Sequence, residues 1–443
     1  MSCLSWRGLA AVQSEIAKPL HPSSCNTIAH EILNSCLAGE AWSRDALRRL
    51  LGCAAGADPD LAQAGSTALF QILVEGLADQ FEPRLSDVYA EIFSQAAAFV
   101  NPASDPAELV ARYRRVRRPR SFRGDASRVR SVFVLSRVTL GADIAIASVM
   151  LDAAKRRFPQ AEILLVAGEK SWKLLAADAR LRWLPASYGR GGTLGERLAI
   201  WPELSAALSQ PDSLVIDPDS RLTQLGLLPV CPEESYFFFD SRSYGGDGQD
   251  SLTTLARRWV AEVFEVPDAA PYLAPAESPE VGAEPFITVN LGVGENPDKR
   301  VPDPFEEELL RALLQRDAPL VVDLGAGGEE EARVLRAVER SGAPASHVRL
   351  WQGSFAALAA MIAKSRLYVG YDSAGQHAAA VCGTPLVTVF AGFASPRMFA
   401  RWSPTGPGPK EVIRVDTACL REVLEQMLAA IDRLLPPTCT SHR

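Results

Sequence analysis

The feature that most constrains the fold of this chain is a regular alternation of strand-like and helix-like segments that begins after Arg130. Short apolar runs at 131–135 and 162–166 predict two strands, and the segment 144–158 between them predicts a helix that ends in basic residues. A strand, a helix and a strand in this order imply a parallel sheet that is covered by helices. Apolar runs at 214–217 and 234–239 continue the pattern.

A second series of the same kind follows a stretch with five prolines at 266–285. Its predicted elements are strands at 286–290, 320–324, 367–370 and 386–390 and helices at 305–314, from Glu329 and from Ala374. The predicted fold class is therefore α/β, with two Rossmann-like doubly wound domains. We predict their bounds as 131–265 and 286–435, with the proline-rich stretch as the hinge.

The first 110 residues show a different pattern. Between 26 and 100, apolar residues recur at intervals of three and four, which predicts four or so short helices and an all-α N-terminal domain over 1–110. Nine arginines follow within the segment 111–130, which we predict to be a linker. We expect these charges to pack on acidic neighbours; the alternative is contact with an anionic membrane surface or a charged acceptor.

Composition narrows the choice of partners. Lys and Arg number 46 against 53 Asp and Glu, a formal net charge of -7, which gives no support to a whole-chain attraction to nucleic acid. No apolar stretch approaches the ~20 residues of a membrane helix, and the N-terminus lacks the pattern of a secretory signal. We therefore expect a cytoplasmic protein, with peripheral contact at the inner membrane face as the alternative. The scattered Cys and His residues predict no metal site.

One strand-end loop carries the strongest indication of chemistry. Ser373 follows a predicted strand and opens a predicted helix, so its hydroxyl and the N–H groups of Ala374 and Gly375 can converge on one phosphate. His377 is placed one turn later on the same face. We expect Asp372 to cap the helix or to orient His377, because two anions repel. The plain alternative is an ordinary turn with an N-cap.

The same loop belongs to a longer motif, with Asp372-Ser373, His377, a helix of small residues, Gly383-Thr384-Pro385 and a strand that ends at Phe390. This motif resembles the donor-binding block of the heptosyltransferase-type glycosyltransferases, family 9. Upstream, residues 131–159 resemble the first strand, the Gly-Asp loop and the first helix of that family. The resemblance covers about 130 to 432 and leaves out the helical N-terminal residues.

The resemblance implies a GT-B architecture, in which two Rossmann-like domains face each other across a cleft. It further implies an inverting glycosyl transfer without an obligatory metal or other cofactor. The donor would be a nucleoside-diphosphate sugar, with an ADP-linked heptose favoured, and the acceptor a glycan, a lipid-linked molecule or a protein. The helical domain is left open among acceptor choice, homo-oligomerisation and docking.

The resemblance also assigns roles to single residues. Asp143 matches the candidate general base, although Ala142 separates it from Gly141, and the alternative is an N-cap for the next helix. Lys299 matches a phosphate-contacting lysine, with a solvated loop lysine as the alternative. Glu329 matches an acidic residue that contacts the donor's nucleoside, or it only favours a helix N-terminus.

Two departures from the family pattern, the extra Ala142 and Ala374 in place of a usual glycine, leave other functions open. One is a non-catalytic protein of the same fold that binds a nucleotide-sugar or a glycan. Another is a nucleotide-sugar epimerase, for which the same phosphate cradle would serve.

Overall fold

The computed structural model describes residues 21–280, 284–294, 296–316, 318–416 and 420–435. The secretory-signal expectation, and parts of the predicted helical domain, hinge and second α/β domain, concern residues outside these ranges. No helix in these ranges combines the length and the apolar character that crossing a bilayer requires.

The N-terminal region is helical, as predicted. Its helices are α1 (Pro22–Ala38), α2 (Arg44–Ala54), α3 (Pro59–Thr67), α4 (Glu75–Ala78), α5 (Pro83–Val100) and α6 (Pro106–Val116), with a π-helical stretch, Ala68–Val74, between α3 and α4. Side chains of Ser43, Asp58 and Asp105 accept N–H bonds at the starts of α2, α3 and α6 and so cap them.

The first α/β lobe contains one parallel sheet. Its elements are β1 (Ser131–Leu135), α7 (Leu140–Ala142), a π-helical turn (Asp143–Ala147), α8 (Ser148–Arg157), β2 (Glu162–Ala167), α9 (Glu169–Lys173), β3 (Leu181–Pro185), α10 (Leu194–Leu198), α11 (Trp201–Leu208), β4 (Ser213–Asp217), β5 (Tyr236–Phe238) and α12 (Leu252–Phe264). The strand order is β3-β2-β1-β4-β5, and Val132 pairs with Ile163 on one side and Leu214 on the other.

The second lobe repeats this design with a parallel sheet of six strands. Its elements are β6 (Ile287–Asn290), α13 (Phe305–Leu313), β7 (Leu320–Asp323), α14 (Gly328–Ser341), β8 (Val348–Trp351), α15 (Phe355–Ile362), β9 (Leu367–Tyr371), α16 (Ala374–Cys382), β10 (Leu386–Phe390), α17 (Pro396–Trp402), β11 (Lys410–Arg414) and α18 (Leu420–Leu434). The order is β11-β10-β9-β6-β7-β8.

The strands that the apolar runs predicted are confirmed, and three further strands were missed. The missed strands are β3, β8 and β11, which lie at sheet edges. Edge strands have one free side and carry polar or charged residues, such as Arg182, Arg349 and Lys410 here. Their sequences therefore lack the continuous apolar run by which a central parallel strand is recognised.

The helical region forms a layer of the first lobe. Along β1, Phe133 and Leu135 point to the face that the helical region covers, whereas Val132 and Val134 belong to a core on the other face. The two faces alternate because successive side chains of a strand point to opposite sides. A hydrogen bond adds to this contact: the Tyr89 hydroxyl of α5 donates to the Gln224 carbonyl of the first lobe at 2.8 Å. One hydrophobic core is thus shared by α1 to α6 and the sheet.

The arginine-rich segment runs along the first lobe. Helix α6 extends over the first part of the predicted linker, because the segment up to Val116 packs its apolar side inward. Arg112 is buried and donates to the Gly226 carbonyl at 3.0 Å, and Arg115 pairs with Glu233 at 2.7 Å. Arg120 donates to the backbone carbonyls of Glu233 and Glu234. These three arginines therefore meet oxygen atoms of the first lobe.

The shared core predicts that the first lobe needs the helical region in order to fold. Removal of residues 1–116 would expose the apolar side chains of β1, β4 and β5 that this region covers, and burial of such surface is the main stabilising term in folding. We expect the truncated protein to aggregate, or to bind a hydrophobic dye and melt without cooperativity in circular dichroism. A truncated protein that melts cooperatively and binds no more dye than the full chain would contradict the shared core.

Candidate functional site

The carboxyl ends of the strands in both lobes meet in one place. In an open parallel sheet the ligand binds where the chain switches direction, here between β1 and β4 and between β6 and β9. Arg137 and Arg221 follow the first pair of strands, and Lys299 and Ser373 follow the second. The cleft between the lobes is therefore lined by cations and by a helix start.

Ser373 begins α16 as predicted. Its hydroxyl accepts the Gly375 N–H at 3.3 Å, which caps the helix. A side chain at Gly375 would collide with the Tyr368 hydroxyl, so only glycine allows the strand and the helix to approach so closely. Ser373 and Ala374 remain partly exposed. The amino end of this helix, with its unpaired N–H groups, is consequently open to the cleft.

Asp372 does not cap α16, which was one of the two roles expected of it. Ser373 caps the helix, and the buried Asp372 carboxylate pairs with Lys299 Nζ at 2.6 Å and accepts a hydrogen bond from the Gln376 amide. An ammonium group has three donors, and Lys299 also donates to the Asp372 carbonyl at 3.4 Å, so Lys299 keeps one donor for a ligand while Asp372 fixes its position. Lys299 is thus held beside the start of α16, where the sequence predicted a phosphate contact.

A close backbone contact also fixes the position of the loop that carries Lys299. Gly392, after β10, has a φ of 64°, which favours glycine, and an added side chain would lie 2.6 Å from the backbone of Asp298. The turn after β10 therefore packs directly on the residue before Lys299.

His377 lies one turn into α16, between the lobes. Its ring centroid is 5.9 Å from that of Trp402, and a side chain at Gly141 would lie 3.1 Å from His377 Cδ2. Only 5% of the residue is exposed, and burial lowers the pKa of His377 to about 4. The imidazole is therefore neutral near pH 7, so it offers a hydrogen bond to a ligand rather than a positive charge.

Asp143 lies in the π-helical turn Asp143–Ala147. A π-helical turn accommodates one more residue than an α-helical turn, and Ala142 is the extra residue relative to the family pattern. The alternative role as an N-cap is wrong, because the helical segment already begins at Leu140 and the Asp143 carboxylate accepts hydrogen bonds from residues that precede it instead. It accepts the Ser136 hydroxyl and the Arg137 N–H, both at 2.7 Å. Burial raises the pKa of Asp143, although these hydrogen bonds oppose the shift.

Two arginines that we did not predict as site residues lie on the first-lobe side of the cleft. Arg137 donates to Ser241 at 2.8 Å and lies 3.6 Å from Asp219, and Arg221 pairs with Glu75 of the helical region at 2.9 Å. Burial lowers the pKa of Arg137. Both residues follow predicted strands, so the strand-end rule could have identified them.

Glu329 and Glu330 lie in different environments. Glu329 is exposed in the first turn of α14, whereas Glu330 lies half-buried between the glycine loops after β6 and β7, where side chains at Gly292 or Gly325 would collide with it. Burial raises the pKa of Glu330. The acidic group inside the strand-end loops is therefore one residue later than predicted.

A carboxylate from the helical region also reaches the cleft. Asp79, at the end of α4, interacts electrostatically with Arg221, Arg137 and Lys299, and burial and the charge of Glu75 raise the pKa of Asp79 to about 6. The sequence gives no local signal for this placement, because it depends on how the helices pack on the first lobe. Within the described residues, no group of three or more His, Cys, Asp or Glu side chains is placed to hold a metal ion.

Comparison with known proteins finds a family match for the second lobe. Residues 264–426 match the model of glycosyltransferase family 9 (heptosyltransferase). The solved family 9 glycosyltransferase from Veillonella parvula DSM 2008 shares the fold, with a TM-score of 0.51 and 16% identity over 69% of this chain and 97% of that chain. Escherichia coli ADP-heptose LPS heptosyltransferase II gives a TM-score of 0.47 and 19% identity over 68% and 99%. None of the curated proteins matches the chain.

These findings confirm the resemblance to family 9 and the GT-B fold that the sequence predicted. The family match covers the second lobe, which is similar to the model of glycosyltransferase family 9 over residues 264–426. The helical region and the first lobe lie outside the matched residues 264–426.

The low pKa of His377 predicts a pH-dependent contribution to stability. In the unfolded chain a histidine takes up a proton near pH 6.5, whereas folded His377 does so only near 4, so the free energy of unfolding falls as the pH falls through this window. Between pH 7 and pH 5 the loss from this residue is about 2 kcal/mol. His377→Gln should show a smaller drop in Tm over that range. The exposed His347→Gln is the matched control, and equal drops in all three proteins would contradict this assignment.

Proposed function

We propose that this protein is an enzyme that transfers a sugar, with inversion and without a metal, from a nucleoside-diphosphate donor to a hydroxyl-bearing acceptor. The observation that carries the proposal is the position of Lys299 beside the open amino end of α16, at a strand switch point that faces Arg137 and Arg221. A cluster of cations and free N–H groups suits a diphosphate.

The same groups would drive the chemical step. When the bond from the anomeric carbon to the diphosphate breaks, negative charge develops on the departing oxygen. Lys299 and the N–H group of Ala374 at the start of α16 would stabilise this charge, and neutral His377 would add a hydrogen bond. These donors are held by the fold before the donor arrives, so little reorganisation is needed.

For the donor we propose an ADP-linked sugar, with a heptose favoured. The support comes from the family match and from the solved E. coli heptosyltransferase WaaC, which is described as a complex with ADP. The acceptor we propose is a glycan, a lipid-linked molecule or a protein that carries a free hydroxyl. Glu330, between the loops after β6 and β7, is better placed than Glu329 to meet the nucleoside.

An inverting transfer needs one base, which removes the proton of the acceptor hydroxyl. The family resemblance assigns this role to Asp143, and its raised pKa moves the carboxyl group towards the working range of a base. Both oxygens of Asp143 already accept hydrogen bonds, however, which holds the carboxylate towards its own loop. The assignment of Asp143 stays a prediction.

Nucleotide binding gives the first test. A thermal-shift panel of ADP, UDP and GDP should show the largest rise in Tm with ADP, since a ligand at 100 times its Kd stabilises a protein by ~2.7 kcal/mol. Incubation with ADP-, UDP- and GDP-sugars then separates the functions: a transferase consumes an acceptor, an epimerase changes the donor without one, and a binding protein does neither. The latter two outcomes would overturn the proposal.

Lys299→Met should weaken ADP binding. The substitution keeps the length of the side chain and removes a charge-assisted hydrogen bond, which is worth about 1.5–3 kcal/mol, so Kd should rise ~10- to 100-fold in calorimetry. Lys364→Met, near the amino end of β9 and thus at the opposite edge of the sheet, is the matched control. Equal affinities of the two variants would exclude Lys299 from the diphosphate site.

A further inference from the structure

The turn that joins α4 to α5, residues 79–82, connects the helical region to the second lobe. Arg397, near the start of α17, donates to the Phe81 carbonyl at 2.7 Å. The same guanidinium pairs with Asp247, in the loop after β5 of the first lobe, at 2.7 Å. One side chain of the second lobe therefore holds a turn of the helical region and a loop of the first lobe at the same place.

The backbone of this turn is strained, which shows how firmly it is held. Phe81 has a φ of 54°, in the left-handed region that bulky residues avoid. Such a conformation persists only where the surroundings determine it. Here Phe81 is 3% exposed and is bonded through its carbonyl to Arg397. The position of the Phe81 ring is therefore fixed by its contacts with the second lobe.

The Phe81 ring packs on Trp402, the last residue of α17. The two ring centroids are 6.4 Å apart and the ring planes meet at 79°, which is the favourable edge-to-face arrangement of two aromatic rings. The side-chain amide of Gln376 donates to the Trp402 carbonyl at 3.4 Å and so ties the backbone of Trp402 to α16. The second lobe thus holds the backbone of Trp402, and the helical region holds its indole.

The Trp402 indole contacts two groups of the cleft, one from each lobe. Its ring centroid is 5.9 Å from that of His377, and the Arg137 guanidinium lies 5.9 Å from the indole centroid. The face of an indole attracts a guanidinium. Trp402 is partly exposed, whereas only 5% of His377 is exposed. The indole therefore belongs to the surface that shields the imidazole from water and that joins α16 to the loop after β1.

We propose that Phe81 is a positioning residue of the donor site, which holds the Trp402 indole against His377 so that the imidazole is in place for the departing diphosphate. This inference rests on the proposed glycosyl transfer. A misplacement of ~1 Å at an active site can cost ~100-fold in rate, so a contact that fixes the imidazole affects the reaction without touching the substrate. The helical region thus has a task in the transfer that the two lobes alone do not supply.

The protonation of His377 reports whether the indole is in place. Burial is the main reason why the pKa of His377 is lowered to about 4; the charge of Lys299 lowers this pKa further, and the charge of Asp372 raises it. Asp372 and Lys299 pair with each other at 2.6 Å, so this pair remains when the indole moves. Displacement of the indole would admit water to the imidazole, and the pKa would rise towards the value of about 6.5 of an exposed histidine.

An NMR titration of the His377 ring tests the positioning independently of the reaction. Its signal is identified by its loss in His377→Gln. In the unchanged protein the ring should stay neutral down to about pH 5, and in Phe81→Ala and Trp402→Ala the midpoint should rise by about one pH unit or more. Phe93→Ala is the matched control, because it removes a buried ring of the same region that packs on Phe70 and Tyr89, and it should leave the midpoint unchanged.

The double variant Phe81→Ala/Trp402→Ala shows whether Phe81 acts through the indole. Its midpoint should equal that of Trp402→Ala alone, because two changes that act through one contact are not additive. In all three variants, kcat for the release of nucleoside diphosphate from whichever nucleotide-sugar the unchanged protein cleaves should fall ~10-fold with little change in KM, as expected for a hydrogen bond that strengthens in the transition state. Phe81→Leu, which keeps part of the apolar contact and disturbs the fold less, should give an intermediate midpoint and rate.

Two results would overturn the inference, and they are distinguishable from each other. If His377 titrates at the same midpoint in Phe81→Ala as in the unchanged protein, or if Phe81→Ala and Phe93→Ala lower kcat equally, Phe81 only contributes to packing, although the proposed function stands. If the unchanged protein binds ADP and neither cleaves nor transfers from any nucleotide-sugar, the proposed function itself fails, and the role of Phe81 in the reaction fails with it, whatever the titration of His377 shows.

Discussion

The site depends on the close approach of the two lobes at Gly141. Because Gly141 has no side chain, the loop after β1 can lie against Ala374 and His377 at the start of α16. This contact brings the carboxyl ends of two separate parallel sheets to one place. A side chain at position 141 would lie 3.1 Å from His377 Cδ2 and 3.4 Å from Ala374 Cα, so the missing side chain of Gly141 permits this close contact.

Each cation of the cleft has an acidic partner that stabilises its charge before a ligand binds. Arg137 lies beside Asp219, Arg221 pairs with Glu75, and Lys299 pairs with Asp372. A charge of this kind would be costly to bury alone. The partners satisfy only some of the available donors, however, since a guanidinium has five and an ammonium three. The remaining donors suit an anion with many oxygens, which a diphosphate is.

The sequence predicts those parts of the structure that local patterns determine. Central strands are apolar throughout, so their runs were recognised. The strand-end rule located Ser373, and the family resemblance pointed to Lys299. Edge strands such as β3 and β11 are partly solvated and left no such run. The pairing of Asp372 with Lys299, which leaves the capping of α16 to Ser373, depends on where Lys299 lies, and the difference between Glu329 and Glu330 depends on the helix phase. Neither is determined by spacing alone.

Asp79 shows most clearly what spacing cannot reveal. The sequence around it predicts only amphipathic helices. Its position in the cleft arises from contacts between residues that are distant in sequence, namely the core that α1 to α6 share with the first sheet and the hydrogen bond from Arg397 to the Phe81 carbonyl. The helices that cover one face of the first sheet therefore also carry a charged group to the second lobe. Since both tasks fall to the same packed layer, a substitution that loosens the layer would disturb the cleft as well as the core. In this fold, the stability of the helical region and the geometry of the cleft are parts of one physical arrangement.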